Sequence, residues 1–176
     1  MHKLQDTSTL SKPTIHLAHA STLDKLVWFL GVGLGSGLVP KAPGTMGSLA
    51  ILLLYPVWLW LGFMPSLIAM IIMSIVGIYI CGRTADIMQV HDDGRIVWDE
   101  FAGQSITLLP LIYLANLAWW WIFPAFILFR LFDVWKPFPI GWADQHVSGG
   151  LGIMLDDLIA GLMAMLVLIF MIYLLI

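Results

Sequence analysis

The chain reads as all-α: a polytopic membrane helical bundle of about four transmembrane spans plus an N-terminal interfacial or re-entrant helix. Three observations predict this. Of 176 residues, 60% are hydrophobic and 11% charged, with a mean hydropathy of +0.94, whereas a soluble domain is about half apolar and a quarter charged. Residues 42–82 and 101–129 carry no charge at all. Finally, every charge after Lys41 falls in segments that can lie at one level of a membrane.

The same numbers exclude several classes. A net charge of -3, mixed in sign, supplies no basic stripe for nucleic acid. A single cysteine, Cys81, rules out internal disulfides and a cysteine metal cluster. Nine Trp and four Tyr suit the boundary between headgroups and hydrocarbon.

Taken in order, residues 1–22 are polar, contain Pro13 and lack a sustained period, so they are predicted to be a mobile tail before a single membrane domain over 23–176. The run Leu26 to Val39 is broken by Gly31, Gly33, Gly35 and Gly37. It differs from a signal-peptide core in its long acid-containing leader and the lack of a small-x-small cleavage site. As a helix it reaches about 21 Å, short of the roughly 30 Å hydrocarbon core, so it reads as interfacial or re-entrant. Residues 42–82 form a hairpin that crosses twice, turning at Gly62 to Ser66, with Ser66 placed to cap the second arm. The stretch 101–129 is too short for two spans of about 20 residues, so its helices must reach into charged ends, over 97–115 and 118–136. Gly149-Gly150-Leu151-Gly152 reads as a loop, and Leu158 to Ile176 makes the last span. Counted one by one these are five stretches, one more than the overall expectation.

If the spans alternate, Lys41, residues 83–100, 130–136 and 144–157 share one face, while the turns at 62–66 and 115–118 carry no charge. All five basic residues from Lys41 onward lie on it, and positive charge in short loops stays in the cytoplasm. Asp92, Asp93 and Arg95 fit a solvated turn. Asp99-Glu100 and Asp156-Asp157 each precede an apolar run, where acids meet the positive end of a helix dipole for about 0.3–1 kcal/mol each. A carboxylate carried toward hydrocarbon costs roughly 2.5–3.5 kcal/mol, and crowded like charges repel further. Four such acids call for a cation, and Mg²⁺ takes hard oxygen ligands beside substrate phosphate. Arg130, Asp133 and Lys136 recur at spacings of three, hence along one side of a helix, and suit a phosphate beside a metal. A structural lattice of ion pairs is the competing account.

Several phosphate chemistries are excluded by spacing. Neither Gly31 to Gly35 nor Pro40 to Ser48 is a P-loop. Cys81 lacks an Arg six positions on, where Ile87 stands, and no Asp-x-Asp occurs. Cys81 reads as packing, His91 and His146 as exposed loop residues with proton shuttling as the sharper alternative, and Ala160 with Ala164 as a close helix contact. A secondary transporter would carry its ionisable groups near the midplane in repeated halves, and neither is visible. A structural membrane scaffold would tolerate loss of any one acid.

Gly35-Ser36-Gly37 with Pro43 to Ser48, Val97 to Gly103, Phe129 to Pro139 and Gly149 to Gly161 resemble, in that order, the blocks of the phosphatidylglycerophosphatase A family. The resemblance covers about residues 25–170, and Arg83 falls in none of the blocks. It implies a Mg²⁺-dependent lipid phosphatase of the bacterial inner membrane, hydrolysing phosphatidylglycerophosphate to phosphatidylglycerol and inorganic phosphate, with its site facing the cytoplasm. On that resemblance Asp99, Glu100, Asp156 and Asp157 become metal ligands, and Arg130 and Lys136 a phosphate clamp. Lys41, Thr45 and Ser48 add contacts to phosphate or glycerol oxygens, or else Gly44, Gly47 and Ser48 simply open a helix. Asp133 is a further ligand, a partner of Arg130, or a nucleophile. Oligomeric state stays open.

Overall fold

A computed structural model describes residues 20–90 and 93–175. Among these residues the chain is helical, without strands. Helix α1 (Thr22–Gly31) is opened by Ser21, whose Oγ accepts a hydrogen bond from the Asp24 amide at 3.1 Å. A short 3-10 segment, Gly33–Leu38, follows and bends where Leu34 and Gly35 take left-handed conformations. The run from Leu26 to Val39 is therefore a helix followed by a tight turn. It packs on α4, through Thr84 Oγ1 to the Val27 carbonyl (3.4 Å) and Arg83 to Asp24 (2.8 Å).

Helix α2 (Pro43–Leu52) begins at a proline, whose fixed φ suits a first helical turn. It breaks at Leu53-Leu54, and α3 (Tyr55–Leu61) continues the first arm. Gly62 turns the chain into α4 (Phe63–Met88). The expected cap at Ser66 is not made: Gly62 holds the cap position, while Ser66 lies inside α4 and donates to the Trp58 carbonyl at 3.1 Å. It ties the two arms together, because a buried hydroxyl must find an acceptor.

Helices α5 (Trp98–Tyr113) and α6 (Ile122–Trp135) stand where the two helices of the second hairpin are expected, joined through a 3-10 turn at Trp119–Trp121. Helix α7 (Ile140–His146) is short, and α8 (Gly149–Leu175) is the central element, packed against α4, α5, α6 and α7. Its start corrects the expected loop at Gly149 to Gly152: those glycines form the first turn of α8. A β-carbon on Gly150 would strike the Ile78 carbonyl and come within 2.7 Å of the Gly82 amide, so α4 and α8 can only touch there without side chains. Asp156-Asp157 accordingly lie inside a helix rather than at its N-terminus, and a dipole cap does not explain them.

Three segments are long and apolar enough to cross a membrane: Pro43–Leu61, Phe63–Met88 and Gly149–Leu175. With 16 and 14 residues, α5 and α6 reach about 24 and 21 Å. The outer faces of α4 and α8 expose Ile68, Ile71, Ile72, Ile75, Leu162, Leu166 and Phe170. Water does not accommodate so continuous an apolar face, and the protein is membrane-associated. The bundle has two unlike ends. One is an apolar core of Tyr55, Trp58, Met70, Leu108, Leu111, Trp121, Leu168 and Ile172. The other gathers the charges.

Candidate active site

The first turn of α5 sets Asp99 and Glu100, and a hydrogen bond from the Val97 amide to the Gly31 carbonyl (2.9 Å) ties that turn to the end of α1. Asp156 and Asp157 come from α8, Asp133 from α6, and Lys136 from the residue that ends α6 in a left-handed conformation before Pro137. With Asp144 of α7 these seven side chains line one cavity of about 170 Å³.

The two acid pairs are built alike. Asp99 Oδ1 accepts from the Glu100 amide, and Asp156 Oδ1 accepts from the Asp157 amide, each at 3.0 Å. In each pair the second acid keeps a buried oxygen without a partner, Glu100 Oε2 and Asp157 Oδ2. Buried carboxylate oxygens are seldom left so, because their desolvation goes uncompensated.

The cations face these acids. Arg130 Nη1 donates to Glu100 Oε1 (3.1 Å) and Ser48 Oγ (3.3 Å) and pairs with Asp133 Oδ2 (2.6 Å). Lys136 Nζ donates to Asp144 Oδ1 (2.6 Å) and Asp156 Oδ2 (2.7 Å). Burial disfavours the Lys136 charge, but its two carboxylate bonds outweigh that and hold the ammonium above the ordinary lysine range. Six carboxylates, Asp99, Glu100, Asp133, Asp144, Asp156 and Asp157, thus face two cations. That excess of negative charge favours a bound cation. Among the described residues no group of three or more His, Cys, Asp or Glu side chains is arranged to hold a metal ion. The donors fit an ion that keeps several waters and shares oxygens with a phosphate, as Mg²⁺ does, better than an all-protein cage.

The Pro43-Gly44-Thr45-Met46-Gly47-Ser48 block has a steric purpose. A β-carbon on Gly44 would collide with Glu100 Oε1, and one on Gly47 would lie 2.6 Å from Glu100 Oε2. The two glycines make the space in which the Glu100 carboxylate rests against α2. Ser48 is fully buried and reaches the site through Arg130. Thr45 is half-buried on α2 and Lys41 exposed before it, and neither lines the cavity.

Asp144 is the site residue that pattern reading did not single out; its only signal was its place among the charges of one face. Gln104, one turn beyond Glu100, is fully buried with its amide unpartnered. Arg130, Asp133 and Lys136 do meet at the site, though not as one helical stripe, since Lys136 lies beyond the last turn of α6. Cys81 is buried against Met154 Sδ at 3.7 Å, as packing requires. His146 is exposed, with Nδ1 2.8 Å from the Trp142 carbonyl oxygen and its ring stacked on Trp142. His91 lies outside the described residues.

A phosphatidylglycerophosphatase A family model matches residues 29–172, a range that holds all four motif blocks. The chain belongs to the phosphatidylglycerophosphatase A family. It is 49% identical over 139 residues to the phosphatidylglycerophosphatase A of Escherichia coli strain K12, covering 77% of each chain. To the Haemophilus influenzae protein of the same name it is 46% identical over 142 residues, 80% of this chain and 85% of that one. A Bacteroides thetaiotaomicron relative, 33% identical over 141 residues (75% and 84%), is provisionally named a phosphatidylinositol-3-phosphatase. No solved structure matches. Within this family the resemblance of the four blocks becomes membership; three of them line the cavity, and the block at 43–48 abuts it at Glu100.

Proposed function

We propose that this protein hydrolyses phosphatidylglycerophosphate to phosphatidylglycerol and inorganic phosphate at a membrane surface. The carrying observation is that three family blocks line one cavity while the fourth seats the Glu100 carboxylate at Gly44 and Gly47, with Lys136 on the lining and Arg130 bonded to its acids. Asp99, Glu100, Asp156 and Asp157 would hold Mg²⁺, led by the unpartnered Glu100 Oε2 and Asp157 Oδ2. When bound, Mg²⁺ supplies Lewis acidity to a phosphoryl group and acidifies water. Arg130 and Lys136 exchange their carboxylate partners for phosphate oxygens and stabilise the charge that grows on them. Asp133 orients Arg130, and Asp144 orients Lys136. Lys41 and Thr45, outside the cavity lining, would meet outer headgroup oxygens. The single-sided basic residues support a site facing the cytoplasm from the bacterial inner membrane.

The test is phosphate release from phosphatidylglycerophosphate by purified protein with and without Mg²⁺, with phosphatidylinositol 3-phosphate as the competing lipid. The expected result is Mg²⁺-dependent release from the first lipid, lost in Asp99→Asn and Lys136→Ala. A wild type that releases no phosphate, or two variants that hydrolyse the lipid normally, would sink the assignment or its site.

A further inference from the structure

Three apolar grooves run along the outside of the bundle. One lies at Phe63, Tyr113 and Met165, a second at Leu67, Ile71, Ile106 and Leu162, and a third along α6 at Phe126, Ile127, Leu131, Val134 and Trp135. Only the third contains a side chain bonded to the acids of the cavity. Arg130 lines this groove, and its guanidinium reaches Glu100, Asp133 and Ser48. From Trp135 to Phe126 the groove spans about 14 Å of helix. It starts at the level of Lys136, where an exposed Trp135 suits the headgroup boundary, and descends toward hydrocarbon.

We infer that this groove is the acyl-chain subsite of the substrate: one chain of a diacyl lipid phosphate lies along α6, while its phosphate occupies the acid cavity on the other side of Arg130. The inference rests on the phosphatase reading and specifies how a lipid enters it. A single arginine, apolar along its stem and charged at its head, matches the junction of such an amphiphile. Lipid tails are as apolar as the groove, so the groove adds little transfer free energy. Its contribution is orientation, since a small misplacement of the reacting group costs orders of magnitude in rate.

The experiment compares wild type with Ile127→Trp/Leu131→Trp, which fills the groove, and with Ile71→Trp, which fills the groove between α4 and α8. Each is assayed in detergent micelles on a long-chain diacyl phosphatidylglycerophosphate and on its deacylated headgroup. The double variant is expected to lose about tenfold in kcat/KM on the diacyl lipid while keeping its rate on the headgroup. Ile71→Trp should keep both. Wild-type rates of the double variant on the diacyl lipid, or equal losses on both substrates, would overturn the inference. Should the double variant misfold, a lipid phosphate carrying a diazirine in one acyl chain tests the wild type directly. Labelling of residues 126–135 that unlabelled lipid competes away supports the subsite, and absent or uncompeted labelling there overturns it. A wild type that releases phosphate from neither substrate defeats the phosphatase reading alone, because the crosslinking result still decides the groove.

Discussion

The two ends of the bundle are held together by opposite means. Around Leu108, Leu168 and Trp121 the helices meet through large, fully packed apolar side chains and no charge. Around Asp99 and Asp157 they meet through glycines, ion pairs and carboxylate oxygens without partners. In a bilayer the first arrangement stabilises by packing, since hydrocarbon competes on equal terms for apolar surface. The second costs stability, because charge is gathered away from water and incompletely paired. Stability and chemistry are thus separated along the bundle axis, and substitutions at the two ends should separate in the same way.

The largest effect is expected from Asp157→Asn, which leaves the shape of the site but removes a charge whose outer oxygen has no partner. Phosphate release should fall about 10³-fold, while the thermal midpoint in detergent holds or rises. A loss of folding stability equal to the loss of activity would erase the contrast. At the other end, Leu168→Ala opens a hole in the apolar core. It should destabilise by about 2 kcal/mol in a detergent unfolding titration, with activity per folded molecule unchanged.

Gly44→Ala comes next. Its β-carbon would meet the flexible end of Glu100 rather than backbone, so the carboxylate moves and the fold stays. A rate lower by about 100-fold with an unaltered thermal midpoint is expected.

The pH response sharpens the contrast further. Lys136 is held above its ordinary value of 10.5, so its pairs contribute stability below that value and lose it as pH rises through the higher folded one. The rate profile should therefore show no alkaline limb from Lys136 below 10.5. The smallest effect belongs to the half-buried clasp between Asp24 and Arg83. Arg83 holds the Asp24 carboxyl below its ordinary 3.8. The clasp is present above that value, fades in acid, and is screened by salt. Asp24→Asn should change activity by less than about twofold.

Much of this was legible in the sequence because hydrocarbon imposes simple rules. Charge-free stretches marked the helices, and adjacent carboxylates beside apolar runs marked the site. What escaped was where glycine changes meaning. Gly149 to Gly152 looked like a loop by the propensities of water-soluble chains, yet α8 begins there, and at Gly150 α4 leaves no room for a side chain. Gly44 and Gly47 read as a helix opening, whereas the α5 carboxylate that needs their space is far away in sequence. Asp144 was hidden for a related reason: its link to Lys136 depends on how α7 packs against α8 to bring Asp144 to the end of α6, which no local spacing encodes.

The close approach of α5 and α8 has one more consequence. A β-carbon on Gly161 would strike the Gly103 carbonyl, and one on Gly103 would lie 2.5 Å from the Asp157 carbonyl. These two glycines fix the vertical register of α8, as a notch fixes a sliding bolt. A slip of one turn would carry Asp156-Asp157 about 5.4 Å from Asp99-Glu100. The same uninterrupted helix carries Leu168 and Ile172 into the apolar core. The spacing of the acids is therefore gauged one helical turn away from them, by two glycines that have no side chain to offer a phosphate.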